Sequence, residues 1–158
     1  MLGRCTGLRT RVLRTAASGL SLSFCNDLTR MCLHQKMISM IEGYFDGCCE
    51  PRNPGGHAAW GAMVKLDGNV VWADGGYCGT GPKMSNNVAE YSAVCAVIRE
   101  CLKHEGVCIL RGDSKLVVMQ LMGKWKVRGG LYVPFYQQAM SLWQHLKPRA
   151  RLEWIPRE

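Results

Sequence analysis

No run of this chain stays apolar long enough to cross a bilayer, because charged or polar residues interrupt every candidate stretch, so a spanning helix is excluded and a soluble protein is expected. Paired metal-binding cysteines are missing too. None of the nine cysteines stands in a CxxC pair, and Cys48 and Cys49 are adjacent, a poor spacing for chelating one zinc ion. The odd count argues against a closed disulfide framework. Cys95 and Cys101 fall on the core side of one predicted helix, so buried free thiols in a reducing compartment are expected. The four histidines, His34, His57, His104 and His145, have no matching partner for nucleophilic catalysis. Internal repeats and low-complexity tracts are absent.

Acid is also scarce, above all at the start. Residues 1–36 carry Arg4, Arg9, Arg11, Arg14, Arg30 and Lys36 against Asp27 alone, and this segment holds most of the net charge of +8. A pI near 9.2 favours a polyanionic partner, since Lys and Arg that neutralise phosphates release counterions. The remaining 14 basic and 11 acidic residues are nearly balanced, so charge alone is weak support for nucleic acid. Residues 1–39 read as an extension, in one of three ways: a transit-like segment, Arg-rich and acid-poor, a disordered nucleic-acid-binding arm, or translated sequence upstream of a true start at Met37 or Met40. A cytoplasmic location is expected, or a mitochondrial one if the first residues act as a transit segment.

What is present is a globular composition, 47% apolar and 20% charged over 158 residues, enough for one domain with a real core. That domain is placed at 40–158. Strands are predicted at Ile41–Cys49, Ala58–Leu66 and Asn69–Cys78. The first two are separated by a turn over Glu50–Gly56 whose prolines and glycines oppose regular structure, and the second pair is joined by Asp67-Gly68, a strong hairpin signal. A loop, Gly79–Ser85, leads to a helix from Asn86 to about His104, with Val88, Tyr91, Val94, Cys95, Ile98, Cys101 and Leu102 on one stripe and Ser85 as its cap. A buried strand, Val107–Arg111, a helix from Ser114 to about Met122, a basic loop, Gly123–Gly130, a helix, Leu131–Leu146, and a strand, Ala150–Ile155, complete the order. Three meandering strands cannot bury both faces, so helices must cover the sheet in a mixed α/β layer fold.

Three acids stand where acids are costly. Asp46 lies inside an apolar strand, Glu90 sits in the first turns of the first helix, and Asp113 follows the buried strand through Gly112. An uncompensated carboxylate near a core loses several kcal/mol by desolvation, at roughly the scale of transfer data, and a shared divalent cation would offset that. Carboxylates with open water positions suit Mg²⁺, and two such ions can promote in-line attack of water on a phosphodiester. Taken singly, two of them have plain alternatives, Asp113 as a helix cap and Glu90 as a favourable charge at a helix start, whereas a strand acid such as Asp46 is harder to dismiss.

The strings Tyr44-Phe45-Asp46-Gly47, Ser85-Asn86-Asn87-Val88-Ala89-Glu90-Tyr91 and Asp113-Ser114-Lys115 occur in the order and rough spacing of the type 1 ribonuclease H family. Asn53-Pro54-Gly55-Gly56, Gly123-Lys124-Trp125-Lys126-Val127 and Trp154-Ile155-Pro156-Arg157-Glu158 extend the resemblance over about residues 41–158. It implies a ribonuclease H-like five-stranded mixed sheet, three antiparallel strands then parallel ones, flanked by helices. It also implies that Asp46, Glu90 and Asp113 hold catalytic Mg²⁺, with Mn²⁺ as a substitute, and that the substrate is the RNA strand of an RNA–DNA hybrid. No partner chain is implied, so a monomer is expected. By the same resemblance Asn53, Asn86 and Asn87 match positions that meet the hybrid in its minor groove, where amides suit the 2′-hydroxyl. For Asn53 a turn role competes. Ser85 and Ser114 are placed to contact phosphate, with capping as the alternative. Lys124 and Lys126 would grip a strand backbone, while Trp125 reads as packing on the third helix.

In the family a further helix follows the last strand and supplies a fourth carboxylate. This sequence stops at Glu158, so that last helix is expected to be absent and activity impaired. Two other functions stay open: a non-catalytic module that binds RNA or hybrid, and a fragment of a larger replication or reverse-transcriptase-like protein.

Overall fold

The computed structural model describes residues 38–156. The readings placed on residues 1–37 and on Glu158 lie outside the described residues. The elements follow the chain as β1 (Met40–Glu50), β2 (Gly55–Leu66), β3 (Asn69–Gly81), α1 (Asn86–Cys101), β4 (Val107–Gly112), α2 (Lys115–Leu121), α3 (Val133–Leu146), a single 3₁₀ turn (Lys147–Arg149) and β5 (Ala150–Trp154). The five strands form one sheet in the order β3-β2-β1-β4-β5. β1–β2 and β2–β3 are antiparallel, and β1–β4 and β4–β5 are parallel. Among the described residues no helix is long and apolar enough to cross a membrane.

Asp67 and Gly68 both take positive φ, 49° and 84°, the conformation a two-residue hairpin turn demands. Two strand boundaries differ by three residues from the sequence reading. β2 begins at Gly55, inside the segment read as a turn, and β3 runs on to Gly81, inside the segment read as a loop, with Gly55 opposite Gly81. Strand pairing uses main-chain groups only, so glycines at a sheet end are paired although they carry no strand signal. The first helix is also shorter than expected, ending at Cys101 with a turn up to Gly106.

Side chains alternate along β1: Ile41, Phe45 and Cys49 are buried, whereas Asp46, Cys48 and Glu50 are exposed. The buried side receives α1. That helix is buried more widely than its predicted stripe, with Ala89, Ala93 and Val97 added to it. The strand glycines explain Ala89 and Val97. A Cβ on Gly43 would come within 2.8 Å of Val97 Cγ2, and one on Gly47 within 2.6 Å of the Ala89 carbonyl carbon. β1 thus offers α1 a flat seat, and small helix residues close onto it. α3 packs on α1 and adds Ala139, Trp143 and Leu146 to the core. Cys95 and Cys101 are buried free thiols, as expected, Cys108 is a third, and burial pushes Cys95 up to about 11.

The other side of β1 and β4 is charged. Arg111 donates from Nε to Glu153 at 2.9 Å and from Nη1 to Tyr44 Oη at 3.0 Å, and pairs also with Glu42. Hydrogen bonding from Arg111 holds the Glu153 carboxyl below its ordinary value of 4.5, against the opposing effect of burial. Its contribution to stability is therefore complete above that value and is lost as pH falls through the lowered one. Glu153 is one-third exposed and solvent-screened, so we expect Arg111→Met to cost only about 1–2 kcal/mol at pH 7. Urea unfolding at pH 7 and again near pH 3 checks this, with the gap between variant and parent narrowing in acid.

Candidate metal centre and nucleic-acid interface

The last parallel pair of β1 and β4 is Phe45 opposite Gly112. Beyond it the strands part, and the next residue on each is an acid: Asp46 on β1, Asp113 after β4. Carboxyl ends of parallel strands are where sheets of this kind leave room for a ligand. The third acid, Glu90, comes from the second turn of α1, brought over the fork because Gly47 lets the helix close onto the strand. One carboxylate oxygen from each of Asp46, Glu90 and Asp113 lies within 4.8 Å of the others. Glu90 is buried at 1% exposure, Asp113 is half-buried and Asp46 exposed. Three negative charges so close repel one another by about 3 kcal/mol per pair at an effective dielectric near 20. A donor set of carboxylates alone, with no nitrogen or sulfur, fits a hard divalent cation.

The surrounding polar groups fix this geometry. Asp46 Oδ1 accepts from the Gly47 amide at 2.8 Å, and Glu90 Oε1 accepts from Asn86 Nδ2 at 3.2 Å. The Asn86 amide donates to Asn53 Oδ1 at 2.9 Å, so the turn after β1 is tied to the start of α1. Asn53 sits in the turn after β1, and its side chain reaches across to the start of α1. Asn87 follows on the same helical turn, half-buried. The two serines differ. Ser85 Oγ accepts from the Val88 amide at 3.4 Å as a cap, whereas Ser114 occupies the N-cap position of α2 without a side-chain cap bond, so capping does not account for its hydroxyl.

Lys124 and Lys126 lie exposed on the connection from α2 to α3. Trp125 corrects the sequence reading: it is 46% exposed rather than packed on α3. Tyr132 stacks on Tyr91 at 5.5 Å, and buried Gln120 links Tyr91, Tyr132 and the Lys126 carbonyl. The loop is thus anchored through its backbone while its basic and aromatic side chains face outward.

A groove of about 530 Å³ opens beside Asp46 and Asp113, lined also by Tyr44, Met63, Asp74 and Arg111. Sequence reasoning gave no function to Arg111, Lys115 or Trp154. The Trp154 indole donates from Nε1 to the Asp113 carbonyl at 2.9 Å, and the Lys115 ammonium lies 5.1 Å from the centre of that ring. A tryptophan at the end of an edge strand carries no sequence signal for such a contact.

The family profile described as reverse transcriptase-like matches residues 44–158. A bifunctional protein of Mycobacterium tuberculosis is 37% identical over 109 residues, covering 66% of this chain and 28% of its own length. Ribonuclease HI of Halobacterium salinarum is 41% identical over 86 residues, 54% of this chain and 41% of its own. The chain thus spans well under half the length of these relatives. Among solved structures, the N-terminal RNase H domain of the mycobacterial protein superposes with a TM-score of 0.65 at 31% identity, covering 75% of this chain and 88% of that one. LC11-RNase H1, solved in complex with an RNA/DNA hybrid, gives a TM-score of 0.63 at 25% identity, with 74% and 86% covered. With the profile spanning residues 44–158 and the mycobacterial domain 31% identical with 88% of it covered, the chain belongs to the reverse transcriptase-like family as a type 1 ribonuclease H domain.

Proposed function

We propose that this domain hydrolyses the RNA strand of RNA–DNA hybrids, with Asp46, Glu90 and Asp113 holding Mg²⁺, or Mn²⁺ in its place. The observation that carries the reading is the convergence of three carboxylate oxygens within 4.8 Å at the fork of β1 and β4. Bound divalent cations would supply charge neutralisation and a more acidic water for attack on phosphorus. The chain's own residues do the rest. Asn86 orients the Glu90 carboxylate, and through Asn53 its backbone couples that orientation to the turn that would meet the minor groove. Asn53, Asn86 and Asn87 present amides to the 2′-hydroxyls that separate RNA from DNA, and Ser85 and Ser114 stand at helix starts where a phosphate is favoured. Exposed Lys124 and Lys126 offer charge to the duplex backbone, with the exposed Trp125 ring between them.

The test is cleavage of end-labelled RNA–DNA hybrid beside matched RNA–RNA and DNA–DNA duplexes, with Mg²⁺ and with excess chelator. Cleavage confined to the RNA of the hybrid, and abolished by chelator, is expected. Tight hybrid binding without turnover at any Mg²⁺ or Mn²⁺ concentration overturns the catalytic reading in favour of a binding module.

A further inference from the structure

Asp113 stands outside every strand and helix, in the two-residue link between β4 and α2. Asp46 is held by sheet pairing and Glu90 by helical hydrogen bonding, so Asp113 is the acid whose position needs another cause. That cause lies in the end of β5. The peptide group before Asp113 is fixed by the Ile155 amide, which donates to the Gly112 carbonyl at 3.1 Å. The peptide group after it is fixed by the Trp154 indole, donating to the Asp113 carbonyl at 2.9 Å. With a hydrogen bond on each flanking peptide, rotation about φ and ψ of Asp113 is restrained, and with it the direction in which its Cβ leaves the chain. Gly112 tightens the arrangement, since a Cβ there would run into the Phe45 ring.

We infer that Trp154 is a positioning residue for the metal centre, acting through the Asp113 backbone, an inference that rests on the metal-binding reading above. The indole N–H is the working group. It is a donor only, so it has one role to play against a carbonyl, and its ring is itself kept in place by the Lys115 ammonium over its face. Polar contacts that orient a ligand from behind it commonly govern metal affinity about tenfold or more.

Mn²⁺ binding followed by electron paramagnetic resonance and by calorimetry separates the possibilities without any need for activity. In the parent, saturable binding that Asp46→Asn removes is expected; its absence sinks the metal reading and not the positioning role alone. Given parental binding, Trp154→Phe keeps an aromatic ring and loses the donor, and its Mn²⁺ dissociation constant should rise about tenfold. Trp154→His places a ring nitrogen where the indole nitrogen stood and should recover part of that loss, whatever its thermal stability. A Phe variant that unfolds at lower temperature but binds Mn²⁺ as tightly as the parent shows a structural role only and overturns the inference. If the Phe variant fails to fold, the His variant decides: weakening well beyond that of a donor-retaining residue, to the level of Asp113→Asn, overturns it as well.

Discussion

Asp46→Asn should lower the hybrid-cleavage rate constant at least about a thousandfold, some 4 kcal/mol of barrier, while leaving the protein folded. The substitution keeps the size of the side chain and the acceptor that the Gly47 amide uses, and removes one of three converging charges. In metal-free buffer the same variant should melt no lower than the parent, and higher if repulsion among the acids dominates, because a neutral amide relieves that repulsion. Loss of activity with stability retained or gained identifies a charge kept for function. A structural acid would lose stability in proportion.

The second large effect is expected at Gly47. Any side chain there meets the Glu90 amide and stands 2.9 Å from Ala89 Cβ, both in the first turns of α1, so Gly47→Ala must lift the helix from the strand. Overpacking against backbone, with no flexible side chain to yield, costs about 3 kcal/mol. Glu90 rides on the displaced turn, so Mn²⁺ binding should fall together with stability. Urea unfolding and Mn²⁺ titration on the same sample check both, and Gly61→Ala, where a Cβ meets nothing within 4 Å, is the control for an added methyl group.

Much of the fold could be read before the structure because each signal had a local physical cause. Asp67-Gly68 marked the hairpin, Ser85 marked the start of α1, and the stripe from Val88 to Leu102 marked its buried side. The misread strand boundaries share one reason: Gly55, Gly56 and Gly79–Gly81 look like loop by composition, yet a strand neighbour supplies the pairing that no local pattern encodes. Ala89 and Val97 were missed as core residues because their burial depends on Gly47 and Gly43, more than forty residues away. The acids were legible from their placement at element junctions and from the family strings around them. Trp125 was misjudged because an isolated tryptophan in a loop carries no local sign of what, if anything, it packs on. Trp154 and Arg111 act through contacts spanning about forty residues or more, and only the folded sheet brings those partners together.

The fork itself has a kinetic side. Up to Phe45, β1 is hydrogen-bonded on both edges, to β2 and to β4; from Asp46 onward it keeps only β2. Amide protons in the doubly bonded half should exchange with solvent only through global unfolding, and those past the fork through smaller, more frequent openings. A step in protection is thus expected between residues 45 and 46, and a cation bridging Asp46 to Asp113 would slow the outer half selectively, closing by charge the gap that backbone pairing leaves.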